Sequence, residues 1–339
     1  MKKNECLIDW LRFSIPDQSA IVVIEKILGL QFTKFSQEGK SSPFPTYDKR
    51  IMFASIEVHT SIQHKNILVN LSGQACRQYE EYMSAVDGWH WHEFIRVILQ
   101  SNGKVSRIDL ALDIFDDSSP SVRTLQDYVK RGQLSSRSQT FKEINSGRVI
   151  DGVLHGFTLY IGALPQMLRI YDKKQEIKDN SGEIVNVDKW VRWELELGDK
   201  KAMEVARRIT EATPLNIIIR GILSAHYAFK TQPKGKTDFH NKARWSNMKW
   251  WHKFIEQMPK IPLRITKEKP TMEKKAYWLD QSVSKSLAML YQAHIDAYGQ
   301  DNANAYISEL LQQGMNKLSD IDMAMIEQKV YELIGTEEY

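Results

Sequence analysis

Only two cysteines, Cys6 and Cys76, occur in the 339 residues of the chain, and they stand far apart. They match no metal-binding or disulfide spacing, which argues against a structural zinc site or a disulfide framework and fits a reducing compartment. Long apolar runs are missing too. The opening MKKNECLIDW carries charges and no hydrophobic stretch, so neither a signal peptide nor a membrane span is expected. No internal repeat and no low-complexity tract is found. Charge of one sign is barely in excess: 46 Lys and Arg against 42 Asp and Glu leave a net +4, which alone names no nucleic-acid partner. The expectation at this level is a soluble, cytoplasmic protein. Its 42% of hydrophobic residues suffices for the core of one large domain or two.

What is there reads as strands mixed with helices. Cys6–Ile15 reads as a strand, and Pro16-Asp17 as the opening of a helix through Ile21, Ile24, Ile27 and Leu28. Gly, Ser and Pro mark Glu38–Asp48 as a loop. Strands are expected over 51–60, 66–71 and Lys104–Phe115, with helices at Gln74–Ser84, Gly88–Gln100 and from Ser119-Pro120 to Gly132. Strand-like runs follow at 138–145, 148–153, 156–162, 166–173 and 189–197. Helical periodicity then takes over at 199–211 and 214–229, and later at 271–298, 301–313 and 319–334. The fold class is therefore α+β, with a mostly antiparallel sheet flanked by helices and a helical C-terminal part. Three regions are expected: 1–230, a basic linker with a short helix over 231–270, and 271–339.

Alternation places the polar residues of three strands on shared faces. In RIDLALD these are Arg107, Asp109 and Asp113; in VRWELEL, Arg192, Glu194 and Glu196; in LRIYDK, Arg169, Tyr171 and Lys173. If the strands belong to one sheet, the three faces converge. Phosphodiester transfer uses such a set: closely spaced carboxylates repel unless a divalent cation holds them, and oxygen donors favour Mg²⁺ or Mn²⁺. Arg and Lys clamp phosphate oxygens, and a tyrosine becomes a nucleophile when cations favour its phenolate. The same alternation also describes the solvated face of an ordinary antiparallel sheet.

Four segments, in order, resemble the Rep_trans replication initiators of small rolling-circle plasmids from Gram-positive bacteria, a domain shared with relaxases of some integrative conjugative elements. NLSGQACRQYE resembles the family's strand–SGQGCR element, and SRIDLALDIFDD its R-x-D-x-A-x-D strand. GFTLYIGALPQMLRIYDKKQEIKDN resembles the block ending R-I-Y-x-K-x-x-E, and KWVRWELEL resembles W-x-R-x-E-x-E-L. The resemblance spans roughly residues 5–260 and departs at Ala163–Met167, where the family often has G-S-R-x-S-D. It implies that Tyr171 attacks the phosphate of the nick site, becomes joined to the DNA 5′ end and frees a 3′-OH primer. It places the family's acidic positions on Asp109, Asp113, Glu194 and Glu196, with Asp109 and Glu194 the first choices for metal. Side-chain direction assigns Arg169 and Lys173 to the scissile phosphate and to easing phenolate formation. The resemblance also implies a homodimer, a double-stranded origin with a single-stranded nick region, and a host superfamily 1 helicase. The alternatives are a conjugative relaxase acting on a transfer origin, or a DNA-binding regulator without activity. Such relaxases often carry an added N-terminal helix-turn-helix domain, and the early first strand favours replication.

Arg107 and Arg192 are further candidates for DNA contact, as are Lys234, Lys236, Lys242 and Arg244 in the basic run KTQPKGKTDFHNKAR. His90 and His92 match a His–hydrophobic–His metal signature, but Trp89, Phe94, Val97 and Ile98 follow helical spacing, which separates the two histidines by about 200°. His59, His64 and His155 are isolated and read as structural. Trp250, Trp251 and Phe254 read as the buried face of a helix rather than a stacking platform for bases.

Overall fold

The computed structural model describes residues 2–36, 40–63, 65–84, 86, 88–235, 241–255, 263, 272, 275–276 and 279–335. Twelve strands occur among them: β1 (Glu5–Pro16), β2 (Lys40–Ser41), β3 (Lys49–Phe53), β4 (Ile56–Thr60), β5 (Asn66–Leu71), β6 (Lys104–Ile114), β7 (Leu134–Ser136), β8 (Phe141–Gly147), β9 (Leu154–Ala163), β10 (Gln166–Asp172), β11 (Val191–Gly198) and β12 (Tyr227–Phe229). Ten of them form one sheet in the order β2-β3-β4-β5-β1-β6-β11-β10-β9-β8, and β12 pairs with β7 in a second. Every pairing is antiparallel. The α+β expectation holds.

The strands alternate for a plain reason: one face is packed, the other polar. Ile108, Leu110 and Leu112 of β6 share the packed side with Leu168 and Ile170 of β10 and Trp193, Leu195 and Leu197 of β11, all buried. Helices Asp199–Thr210 and Leu215–His226 bring Ala202, Val205, Ala206, Ile218, Ile219 and Ile222 against them. Trp193 is wholly buried, its ring 4.9 Å from Phe254 and 6.0 Å from Trp251. The short helix Lys249–Ile255 thus buries Trp251 and Phe254, while Trp250, expected with them, is half-buried against the same core.

Several boundaries differ from the sequence reading. The run 51–60 is a hairpin, β3 turning into β4 at Ala54, which takes φ 48°. Residues 148–153 are a turn rather than a strand: Arg148 N donates to Val153 O, and Gly152 sits at φ 67°. The helix expected after Pro16-Asp17 begins only at Ala20, because Asp17 itself has φ 54°. The helix expected over 214–229 ends at His226 and yields β12. The largest departure concerns Lys173. β10 stops at Asp172, whose carboxylate accepts from Gln175 N and caps the helix Lys173–Ser181, closed by Gly182 at φ 72°. Lys173 therefore does not follow the strand alternation of Arg169 and Tyr171.

The chain divides into two compact units, Met1–Ile265 and Thr266–Tyr339. Of the expected linker region 231–270, residues up to Ile265 belong to the first unit, to which Trp251 and Phe254 contribute buried side chains. The second unit is helical, with Ser284–Tyr298, Gln300–Met315 and Asp320–Gly335. Among the described residues no helix is long and apolar enough to cross a membrane.

Candidate active site

Register decides whether three polar faces meet, and here it aligns them. On β11, Arg192 lies opposite Tyr171 of β10 and Asp113 of β6; Glu194 lies opposite Arg169 and Ala111; Glu196 lies opposite Met167 and Asp109. Three adjacent rows on one face thus hold all four acids, the tyrosine and two arginines, and Arg107 joins them across from Gly198.

Each carboxylate is held by a guanidinium. Arg169 Nη2 donates to Glu194 Oε1 at 2.6 Å, and the Tyr171 hydroxyl donates to Glu194 Oε2 at 3.0 Å. Arg192 grips Asp113 through Nε and Nη2, both at 2.7 Å, and reaches Asp9 Oδ1 at 2.9 Å. Arg107 takes Asp109 through Nε at 3.0 Å and Nη2 at 2.7 Å, and Glu196 through Nη1 at 3.2 Å. Such two-pronged pairs orient acids firmly. Burial of the charges is tolerated because each has a partner.

Tyr171 is only 4% exposed, flanked by the Arg169 guanidinium at 4.7 Å from its ring and by Lys173 Nζ at 5.7 Å. Burial, then the Glu194 charge, push its phenol above the usual range, and Arg192 and Arg169 only partly oppose this. Arg169 thus acts in the direction expected of a flanking cation, but burial and Glu194 outweigh it in the free protein, while Lys173 pairs with Glu176 at 2.7 Å. Glu194 is likewise raised, burial outweighing Arg169. Burial pushes Asp109 up to about 7; Arg107 opposes the rise, while Glu194 and Glu196 add to it.

That mutual repulsion, relieved here by arginines, is what a hard divalent cation also relieves, so the donor chemistry of Asp109, Glu194 and Glu196 suits Mg²⁺ or Mn²⁺. No cluster of three acid, histidine or cysteine groups stands ready to hold a metal among the described residues. Asp113 is taken up on both oxygens by Arg192, as Asp109 is by Arg107.

Of the DNA-contact candidates, Arg107 and Arg192 lie inside this network, and Arg192 is buried. Lys234 and Arg244 are exposed, and Lys242 is half-buried on the short turn Lys242–Arg244. Lys236 and His64 lie outside the described residues. His90 precedes the helix Trp91–Gln100 in extended conformation, so its ring stacks on His92 at 5.3 Å instead of diverging. His59 is buried on β4 against Ser42, a structural role.

Asp9 and Trp10 were not singled out in the sequence. A register shift between Ile8 and Trp10 makes Asp9 a bulge residue, which turns its carboxylate onto Arg192 and sets Trp10 opposite Asp109, with the Arg107 guanidinium 4.1 Å from its ring. CLIDWLRF carries no mark of that bulge.

Comparison with known proteins fits this arrangement. Residues 103–311, which include every residue of the three rows, match the Rep_trans family, described as replication initiation factor. The chain belongs to the Rep_trans family of replication initiation factors. Residues 5–97 of this initiator match the N-terminal domain of rolling circle replication initiation proteins. Over 325 residues the initiator is 24% identical to the putative DNA relaxase NicK of Bacillus subtilis (strain 168), covering 94% of this chain and 90% of that protein. Its fold is shared with the rolling circle replication initiator protein from Geobacillus stearothermophilus. There the TM-score is 0.65 at 24% identity, over 78% of this chain and 100% of the other.

Proposed function

We propose that this initiator is a site-specific DNA nicking and closing enzyme with Tyr171 as nucleophile. The observation that carries the proposal is the hydrogen bond from the Tyr171 hydroxyl to Glu194, itself fixed by Arg169. The tyrosine oxygen attacks the phosphorus at the nick site and the bond to the 3′ oxygen breaks, leaving the 5′ phosphate on Tyr171. The phenol proton passes to Glu194, and the departing 3′ oxygen takes up a proton to become the primer hydroxyl. Religation is the reverse. Arg169 and Arg192 supply positive charge beside the phosphate oxygens as negative charge builds. Mg²⁺ or Mn²⁺, held by Asp109 with Glu194 and Glu196, would polarise the phosphate. Lys234, Lys236, Lys242 and Arg244 contribute backbone contacts outside the reacting centre. The working form is a homodimer on an inverted-repeat origin, with a host superfamily 1 helicase opening the nicked duplex.

The test is a nicking assay on supercoiled DNA carrying the cognate origin, with and without Mg²⁺ or Mn²⁺, for wild type and Tyr171→Phe. Metal-dependent nicking with a covalent 5′ adduct, absent in the Phe variant, is expected; undiminished nicking by that variant would transfer the role to another group. The similarity to NicK supports a second reading, a relaxase with the same chemistry. Offering a replication origin and a transfer origin side by side distinguishes them by which is cut.

A further inference from the structure

A second polar cavity lies at the far end of β10. Its volume is 320 Å³, and Arg137, Gln166, Lys201 and His226 line it beside the turn between β9 and β10. Gln166 and Tyr171 stand five positions apart on β10, about 17 Å along a strand. Alternation puts Gln166 on the packed side with Leu168 and Ile170, so this cavity is not an extension of the tyrosine face.

Three basic side chains gather here, and among the described residues no Asp or Glu lines the wall. Lys201 Nζ donates to the neutral Gln166 Oε1 at 2.7 Å. Neither Lys201 nor Arg137 has an acidic partner among the described residues. His226 is 9% exposed, and its Nε2 has no hydrogen-bond partner. Burial, then the charges of Lys201 and Arg137, hold its imidazole down to about 4. Burial and Arg137 lower Lys201 in the same direction. Gathering like charges around a buried, unpaired imidazole nitrogen costs free energy rather than adding stability. An anion with several acceptor oxygens resolves all three defects at once. Ser138 and Thr140, also on the wall, add hydroxyl donors. A guanidinium fork, an ammonium, an imidazole N–H and hydroxyls suit the oxygens of a tetrahedral phosphate, and the volume leaves room for a group attached to it.

We propose that this cavity binds a phosphate group, either of a free nucleotide or of a DNA strand. The two sources share their chemistry and are told apart by the probe. Calorimetric titration of the full chain uses inorganic phosphate, thymidine monophosphate and a short oligothymidylate, each against chloride at equal ionic strength. Saturable binding at one site is expected, weakened about tenfold or more by Arg137→Gln and by Lys201→Met, as loss of a charged hydrogen bond implies. Tyr171→Phe should leave it unchanged. Arg137 is exposed, so its variant should melt as wild type does and report on binding rather than folding. Binding of the mononucleotide assigns the cavity to a small ligand. Binding of the oligonucleotide alone, still lost in Arg137→Gln, assigns it to the strand. The proposal fails if none of the three probes saturates, or if the Arg137→Gln, Lys201→Met double variant binds as tightly as wild type.

Discussion

At the scale of single residues, Glu194 is the hinge of the proposed chemistry. One oxygen takes the tyrosine proton's hydrogen bond and the other takes Arg169. Glu194→Gln keeps the shape but removes the proton acceptor. Nicking should fall by roughly 10²–10⁴, the usual worth of a general base, while origin binding in a gel-shift assay changes little. Wild-type nicking should decline as pH drops through the raised range of Glu194, and the variant should keep only the acid limb of Asp109, pushed up to about 7, in its pH–rate profile. His226 gives a stability prediction of definite sign. Its folded-state value is down to about 4 against an unfolded value near 6.5, so below 6.5 the unfolded chain binds a proton that the folded one refuses. This contribution is intact above pH 6.5 and is lost as pH falls towards 4. Melting temperatures of His226→Gln should therefore drop less steeply than wild type between pH 6.5 and 4.

At the scale of elements, the junction between β10 and its following helix sets what the tyrosine can meet. Asp172 caps that helix, so Lys173 leaves the strand and turns to Glu176. Asp172→Ala should cost about 1 kcal/mol in denaturant unfolding, the common value of an N-cap. Lys173→Ala should slow nicking far less than Arg169→Ala, because only Arg169 orients Glu194. Equal losses from the two in single-turnover assays would contradict that ranking. Strand alternation in RIDLALD and VRWELEL was legible because one side of the sheet packs against helices and tolerates only apolar groups. The extent of the helix after Tyr171 was not legible, since KKQEIKDNS has little amphipathic contrast and no buried residue. The bulge at Asp9 was invisible for a related reason: it arises from pairing with β6, not from a local turn preference.

At the scale of the whole molecule, all the groups of the proposed reaction fall within Met1–Ile265. That unit has its own core, centred on Trp193 and the helices that cover the sheet. A fragment ending at Ile265 should therefore unfold in one cooperative transition and retain tyrosine transfer to a single-stranded nick-site oligonucleotide. A fragment without cooperative unfolding would show that the helical unit is needed for folding. Within the first unit, Trp193→Ala should destabilise by roughly 3–5 kcal/mol, since it empties a wholly buried aromatic site.

By itself the sequence determined the strand faces and the family, and it grouped Tyr171, Arg169 and the four acids on one polar face, because alternation and motif order are local properties of the chain. The tertiary structure decided which acid meets which cation: Glu194 with the tyrosine, Asp113 with Arg192, Asp109 and Glu196 with Arg107. It also decided that burial and the Glu194 charge push the Tyr171 phenol above its usual range. Both depend on register between strands distant in sequence and on how much water the packed chain excludes, and no short segment encodes either.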